Sequence, residues 1–106
     1  MCVTHDSGNP RDQVVPFFDA LTPYGYLGWG KSTPLGSGLG LAMGAKLAKP
    51  DWTCVNFMGD SSFGMVGMDV ETGVRESIPV LTIVFNNGRM GGYTRHHPVA
   101  TKTHGI

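Results

Sequence analysis

The chain has no excess of either charge: eight Lys and Arg balance eight Asp and Glu over 106 residues. That balance, with no basic stripe interleaved with aromatics, lacks the electrostatic signature of a nucleic-acid binder. Apolar runs of membrane-spanning length are missing, and so is the N-terminal pattern of a secretory signal, so no membrane segment is expected. Only two cysteines occur, Cys2 and Cys54. They are too few for a disulfide scaffold and fit buried thiols in a reduced, cytoplasmic setting. Internal repeats and low-complexity segments are absent as well.

Glycine, by contrast, is abundant. The sixteen glycines are about twice the usual share, and they gather at 25–44, 59–73 and 88–92. Such clusters suggest backbone approaching a ligand or another helix. A hydrophobic content of 41% supports a core, and the length allows one small domain at most.

Short β-prone and helical runs alternate along the chain, which predicts an α/β fold, a parallel sheet flanked by helices. Residues 1–5 form a β-prone run that stops at the turn residues Asp6-Ser7-Gly8-Asn9-Pro10. Residues 11–21 have helical spacing, shortened or kinked by Pro16. A loop rich in aromatics and glycine spans 23–33. Residues 36–48 read as a helix with little polar surface, expected to be buried, with Gly40 and Gly44 on one face where another backbone could come close. Residues 52–58 read as a buried strand leading to Asp60. Residues 67–77 read as an amphipathic helix with Val70 and Val74 on one face and a Glu71/Arg75 pair on another. Pro79 precedes 80–85, a continuous apolar run of the kind found in central parallel strands.

The chemistry concentrates between Gly59-Asp60-Ser61-Ser62 and Asn86-Asn87. A carboxylate closes one apolar run and a side-chain amide closes the next. The unit reads strand, loop, helix, strand, loop. If the strands are parallel, Asp60 and Asn87 lie at neighbouring carboxyl ends, the rim where open α/β sheets bind ligands. One anionic and one neutral oxygen donor suit Mg2+, which takes few protein ligands and completes its shell with phosphate and water. A rival reading takes Gly36-Ser37-Gly38-Leu39-Gly40 as a dinucleotide fingerprint. It requires glycine at 41, where Leu41 stands, and no strand directly precedes it.

The spacing of Asp60 and Asn87, 27 positions, together with Gly-Asp before and Asn-Asn after, resembles the cofactor signature of thiamine-diphosphate (ThDP) enzymes. Ser61 stands where that signature has glycine, which raises the question of whether the loop needs positive φ there. Upstream, Thr33-Pro34-Leu35-Gly36-Ser37-Gly38-Leu39-Gly40-Leu41-Ala42-Met43-Gly44-Ala45-Lys46-Leu47-Ala48-Lys49-Pro50-Asp51 is similar to a block of the acetolactate-synthase-like members. The resemblance covers about residues 3 to 93. It implies that the chain, residues 1–106, is a partial, incomplete diphosphate-binding (PP) domain.

The resemblance also assigns roles. Asp60, Asn87 and the carbonyl of Arg89 would hold Mg2+. Asn9, Ser61, Ser62, Gly91 and Gly92 would meet the diphosphate. Leu35 would wedge between the cofactor's two rings and hold them in a V, while the Thr33 carbonyl and the Leu35 N–H meet the aminopyrimidine; capping of a buried helix is the plain alternative for Leu35. Tyr93 stands where decarboxylases of the family carry a catalytic acid, which favours carboligation. Asp69 and Glu71 fit a solvated helix face, His96 and His97 lie past the motif, and His5 and His104 carry no signal. The implied activity is that of a 2-oxo-acid carboligase or lyase resembling acetolactate synthase, working as a homo-oligomer. The glutamate that protonates the aminopyrimidine would come from a pyrimidine-binding domain of the same or a neighbouring subunit, which nothing in these residues matches. Readings of another class are a dinucleotide-binding oxidoreductase fragment and a non-catalytic assembly module.

Overall fold

A computed structural model describes residues 1–30 and 34–90. The elements in chain order are β1 (Cys2–His5), α1 (Asn9–Val14) running into a 3-10 turn (Val15–Phe17), β2 (Tyr26–Leu27), α2 (Ser37–Ala48), β3 (Cys54–Gly59), α3 (Asp60–Val66), α4 (Asp69–Arg75) and β4 (Leu81–Phe85). The four strands form one parallel sheet in the order β2-β1-β3-β4. The α/β, parallel-sheet expectation therefore holds. From β1 the chain steps outward to β2, then returns to the opposite side for β3. The loops after β1 and β3 diverge at this reversal and leave a crevice at the carboxyl edge, the usual ligand position in open α/β sheets.

Side-chain alternation gives the sheet two different faces. Val3 and Val55 meet Val14 of α1, with Phe18, Tyr26, Phe57 and Phe85 packed around them. Each such valine stabilises the fold by about 1.5–3 kcal/mol relative to exposure. The opposite face is partly polar. The Thr4 hydroxyl shares its one proton between the Gly38 carbonyl of α2 at 2.9 Å and Asn56 Oδ1 at 3.1 Å, and all three groups are buried. No buried side-chain nitrogen or oxygen among the described residues is left without a partner, as an interior of low polarity demands. Gly38 makes this close seating possible: a Cβ there would lie 2.5 Å from Asn56 Oδ1 and 2.9 Å from the His5 backbone.

Several elements depart from the sequence expectations. The segment 11–21 is not one helix: α1 starts at Asn9, with Pro10 where proline is tolerated, and gives way to a 3-10 turn containing Pro16. The short strand β2 lies inside the stretch expected to be loop, held by Val3↔Tyr26 and Thr4↔Leu27 pairing. Asp60 does not end in a loop but begins α3 directly. The helix α2 follows its expected span but is only half covered. Leu39 and Ala42 are buried, while a Cβ on Gly40 or Gly44 would meet nothing within 4 Å. No backbone approaches that glycine face among the described residues.

The run ending in β4 was expected to lie centrally, yet it forms an edge among the described residues, with Leu81, Ile83 and Val84 exposed. Val70 and Val74 of α4 are exposed too, and the buried residue of that helix is Gly73. The pattern of apolar residues is present, but nothing described covers it. The Glu71/Arg75 pair forms at 3.1 Å on an open surface, where such pairs contribute little. Both cysteines are buried and free. Burial pushes both thiols up, and the neighbouring Cys54 pushes Cys2 further in the same direction. No helix among the described residues is long and apolar enough to cross a membrane.

Candidate diphosphate and cation site

The crevice at the strand-order reversal is a cavity of about 350 Å³. Three carboxyl-end loops and the entry to α2 converge on it. Asn9 comes from the loop after β1, Asp60, Ser61 and Ser62 from the start of α3 after β3, Asn87 and Arg89 from the turn after β4, and Leu35 from the approach to α2. These are seven of the ten residues assigned from the sequence. Thr33, Gly91 and Gly92 lie outside the described residues, as do Tyr93, His96, His97 and His104.

Register explains why two groups far apart in sequence share one rim. β3 and β4 are parallel, with Gly59 opposite Phe85. Asp60 follows the first of these directly, and Asn87 stands two residues after the second. Asp60 is half-buried, and its carboxylate has no hydrogen-bond or ion-pair partner among the described residues. The Asn87 side-chain oxygen accepts from the Arg89 N–H at 2.9 Å, and the Asn86 oxygen accepts from the Gly88 N–H at 3.3 Å. These two Asx turns, with Gly88 at φ 65°, curl the chain after β4. Asn87 keeps a second lone pair for another partner.

Ser61 resolves the question raised by its departure from glycine. It lies in the first turn of α3, and the only described non-glycine residues at positive φ are Tyr24 and Ser77. No backbone strain attends the serine. Ser62 also lines the cavity, but its hydroxyl has partners within the protein. Its hydroxyl is buried, donates to Asp6 Oδ2 and accepts from the Gly36 N–H at 2.9 Å. Its only proton is committed, so that hydroxyl has no hydrogen left for a phosphate oxygen.

Leu35 lines the cavity and is 39% exposed. Asp6, treated from sequence as one residue of a turn, is fully buried at the foot of this loop. No three or more His, Cys, Asp or Glu side chains are grouped so as to hold a metal ion among the described residues. The donor set of the rim is of another kind, one carboxylate with an amide and a carbonyl, which fits Mg2+ rather than zinc. A larger apolar groove of about 640 Å³ lies among α2, α4 and β4, but it holds no assigned residue and little polarity.

The half-buried Asp60 carboxylate and the Asn87 side chain thus share the carboxyl-end crevice of a parallel α/β sheet, where ligands of open α/β domains bind. Residues 6–105 match the family described as thiamine pyrophosphate enzyme, C-terminal TPP binding domain, and the chain belongs to that family, whose cofactor is ThDP (TPP). It is 46% identical over 70 residues to a 2-hydroxyacyl-CoA lyase of Oryza sativa subsp. japonica, covering 66% of this chain and 12% of the relative. It is 36% identical over 97 residues to a probable acetolactate synthase of Mycobacterium bovis, covering 92% and 17%. It is 34% identical over 86 residues to an oxalyl-CoA decarboxylase of Escherichia coli K12, covering 81% and 15%. The matched stretch thus spans less than a fifth of each of these relatives. The glycine run at the start of α2 belongs to this thiamine-enzyme match, which displaces the dinucleotide reading.

Proposed function

We propose that this chain is the ThDP- and Mg2+-holding part of a 2-oxo-acid carboligase or lyase resembling acetolactate synthase. The observation that carries the reading is the Asp60 carboxylate. It is half-buried and without a protein partner among the described residues, on the same cavity as Asn87 and Arg89. A carboxylate so placed is suited to a cation.

In this reading the Asp60 carboxylate, the Asn87 side-chain oxygen and the Arg89 carbonyl hold Mg2+, which neutralises the diphosphate. Asn9, Ser61, Ser62, Gly91 and Gly92 line the diphosphate, with Ser62 contributing backbone rather than its hydroxyl. Leu35 would wedge between the two rings, and the Thr33 carbonyl and the Leu35 N–H would meet the aminopyrimidine. ThDP supplies the carbanion chemistry that a 2-oxo acid requires; the residues named here bind it, orient it and fix its charge. Residues 1–106 act as part of a diphosphate-binding domain. The missing glutamate is supplied by a pyrimidine-binding domain of the same or a neighbouring subunit, in a homo-oligomer. The two buried free thiols support a cytoplasmic setting.

The exposed apolar faces of β4 and α4 give this reading a test. Residues 1–106 expressed alone are expected to aggregate or melt without cooperativity, and to release no carbon dioxide from pyruvate with ThDP and Mg2+. Co-expression with the flanking sequence restores solubility and activity. Analytical ultracentrifugation, thermal unfolding and carbon dioxide release measure this. A monodisperse monomer that melts cooperatively and turns over pyruvate contradicts the reading.

A further inference from the structure

Asp6 is fully buried, yet the cation site makes no use of it. Its carboxylate accepts from the Ser7 N–H at 3.1 Å, from the Gly36 N–H at 2.9 and 3.0 Å, and from the Ser62 hydroxyl. The Ser62 oxygen accepts from the same Gly36 N–H. One backbone N–H is therefore shared among three oxygens, drawn from the loop after β1 and the first turn of α3. Gly36 itself is at φ 92°, and a Cβ there would lie 2.5 Å from Val66 Cγ1. Thr4 fixes the next turn by donating to the Gly38 carbonyl.

The peptide that carries this N–H is the one joining Leu35 to Gly36. Its plane is held by Asp6 and Ser62, and the side chain that leaves it enters the cavity. Ser62 also stands two residues after Asp60 on the same short helix. One end of the cluster thus touches the residue before α2 and the other the segment bearing the cation ligand. An Asp carboxylate without a cationic partner is costly to bury unless its hydrogen bonds are made with good geometry. Here the carboxylate takes the Gly36 N–H on both oxygens, and the Ser62 hydroxyl that it also accepts from meets that same N–H.

We propose that Asp6 and Ser62 are positioning residues that fix Leu35 relative to Asp60, and so set the distance between the ring end and the diphosphate end of the cofactor. The inference rests on the ThDP reading of Leu35 and Asp60. Neither residue touches the cofactor through its side chain; both act through the Leu35–Gly36 peptide and the first turn of α3.

The test compares Asp6→Asn and Ser62→Ala in the complete enzyme that carries this chain. Three quantities are read: hydrogen exchange of the Gly36 amide, calorimetric affinity for ThDP with Mg2+, and the exchange of the C2 hydrogen of bound ThDP with deuterated solvent. Asp6→Asn is expected to speed Gly36 amide exchange at least about tenfold and to slow C2 exchange by about tenfold, while ThDP affinity changes less than about threefold. Ser62→Ala keeps the carboxylate and is expected to shift both exchange rates in the same directions by less; it carries the test if the Asp6 variant fails to fold. Unchanged C2 exchange beside a deprotected Gly36 amide overturns the inference alone. Parallel loss of affinity and C2 exchange also overturns it, making Asp6 an ordinary fold residue. Wild-type enzyme that binds no ThDP overturns the underlying reading, and the inference with it.

Discussion

Asp60→Asn lowers the Mg2+-dependent affinity of the complete enzyme for ThDP at least about tenfold. The substitution keeps the shape of the side chain and one oxygen, but removes the only charge among the proposed cation ligands. Mg2+ binds oxygen donors at short range and gives up its waters reluctantly, so a neutral set competes poorly with solvent. Changes one shell farther out typically cost about 10- to 100-fold in metal affinity, and losing a direct anionic ligand should cost no less. The fold should survive, because the Asp60 carboxylate makes no hydrogen bond or ion pair among the described residues. Calorimetry with and without Mg2+ measures the effect. Equal affinity for variant and wild type takes Asp60 out of the site.

The second large effect separates positioning from binding. Leu35→Ala removes most of the side chain that enters the cavity beside the Asp60 loop, while leaving the Gly36 N–H and its three acceptors in place. The residues proposed to anchor the diphosphate are others on the same cavity and are left unchanged, so affinity should change little. Turnover should fall about tenfold or more, because misplacement of a reacting atom by about an ångström can cost on the order of 100-fold. Stability should suffer less than the roughly 2–5 kcal/mol of a buried Leu→Ala change, since Leu35 is partly exposed. Steady-state kinetics with calorimetry on the same preparations decides it. A parallel fall in affinity and turnover makes Leu35 ordinary packing.

Much of the rim was legible because two simple regularities fix it. Apolar runs of strand length that end in Asp60 and in Asn86-Asn87 place those groups at carboxyl ends, and the helical residues between them leave parallel pairing as the short connection. The structure has that pairing, β3 beside β4. The apolar helical span 36–48 likewise matched α2 nearly to the residue. What periodicity does not encode is cover. The apolar residues of β4 and α4 announce burial, but burial depends on neighbours, and the described residues supply none there. Short elements escaped for a different reason. The strand β2 has two residues and exists through pairing with β1, while α3 is rich in serine and glycine, residues of low helix propensity. Tertiary context overrides that propensity.

The role of Asp6 had no local signal at all. Asp-Ser-Gly after a β-run reads as turn chemistry, and a turn is formed. The partners that give the carboxylate its work, Gly36 and Ser62, lie 30 and 56 positions away. The partner of the Ser62 hydroxyl was unreadable for the same reason, since that hydroxyl turns inward to Asp6. Ser61 shows the converse: the residue that looked like a departure occupies ordinary helical backbone, where serine and glycine both fit.

In the proposed site one cation, held at the carboxyl ends of β3 and β4, ties the ThDP diphosphate to this chain. A crystal structure of the complete enzyme with ThDP and Mn2+ in place of Mg2+ tests it directly, because manganese can be located by its anomalous scattering. One peak is expected beside the diphosphate, within direct coordination distance of an Asp60 carboxylate oxygen, the Asn87 side-chain oxygen and the Arg89 carbonyl. A peak on the diphosphate that touches neither Asp60 nor Asn87, or a diphosphate bound away from this cavity, would contradict it.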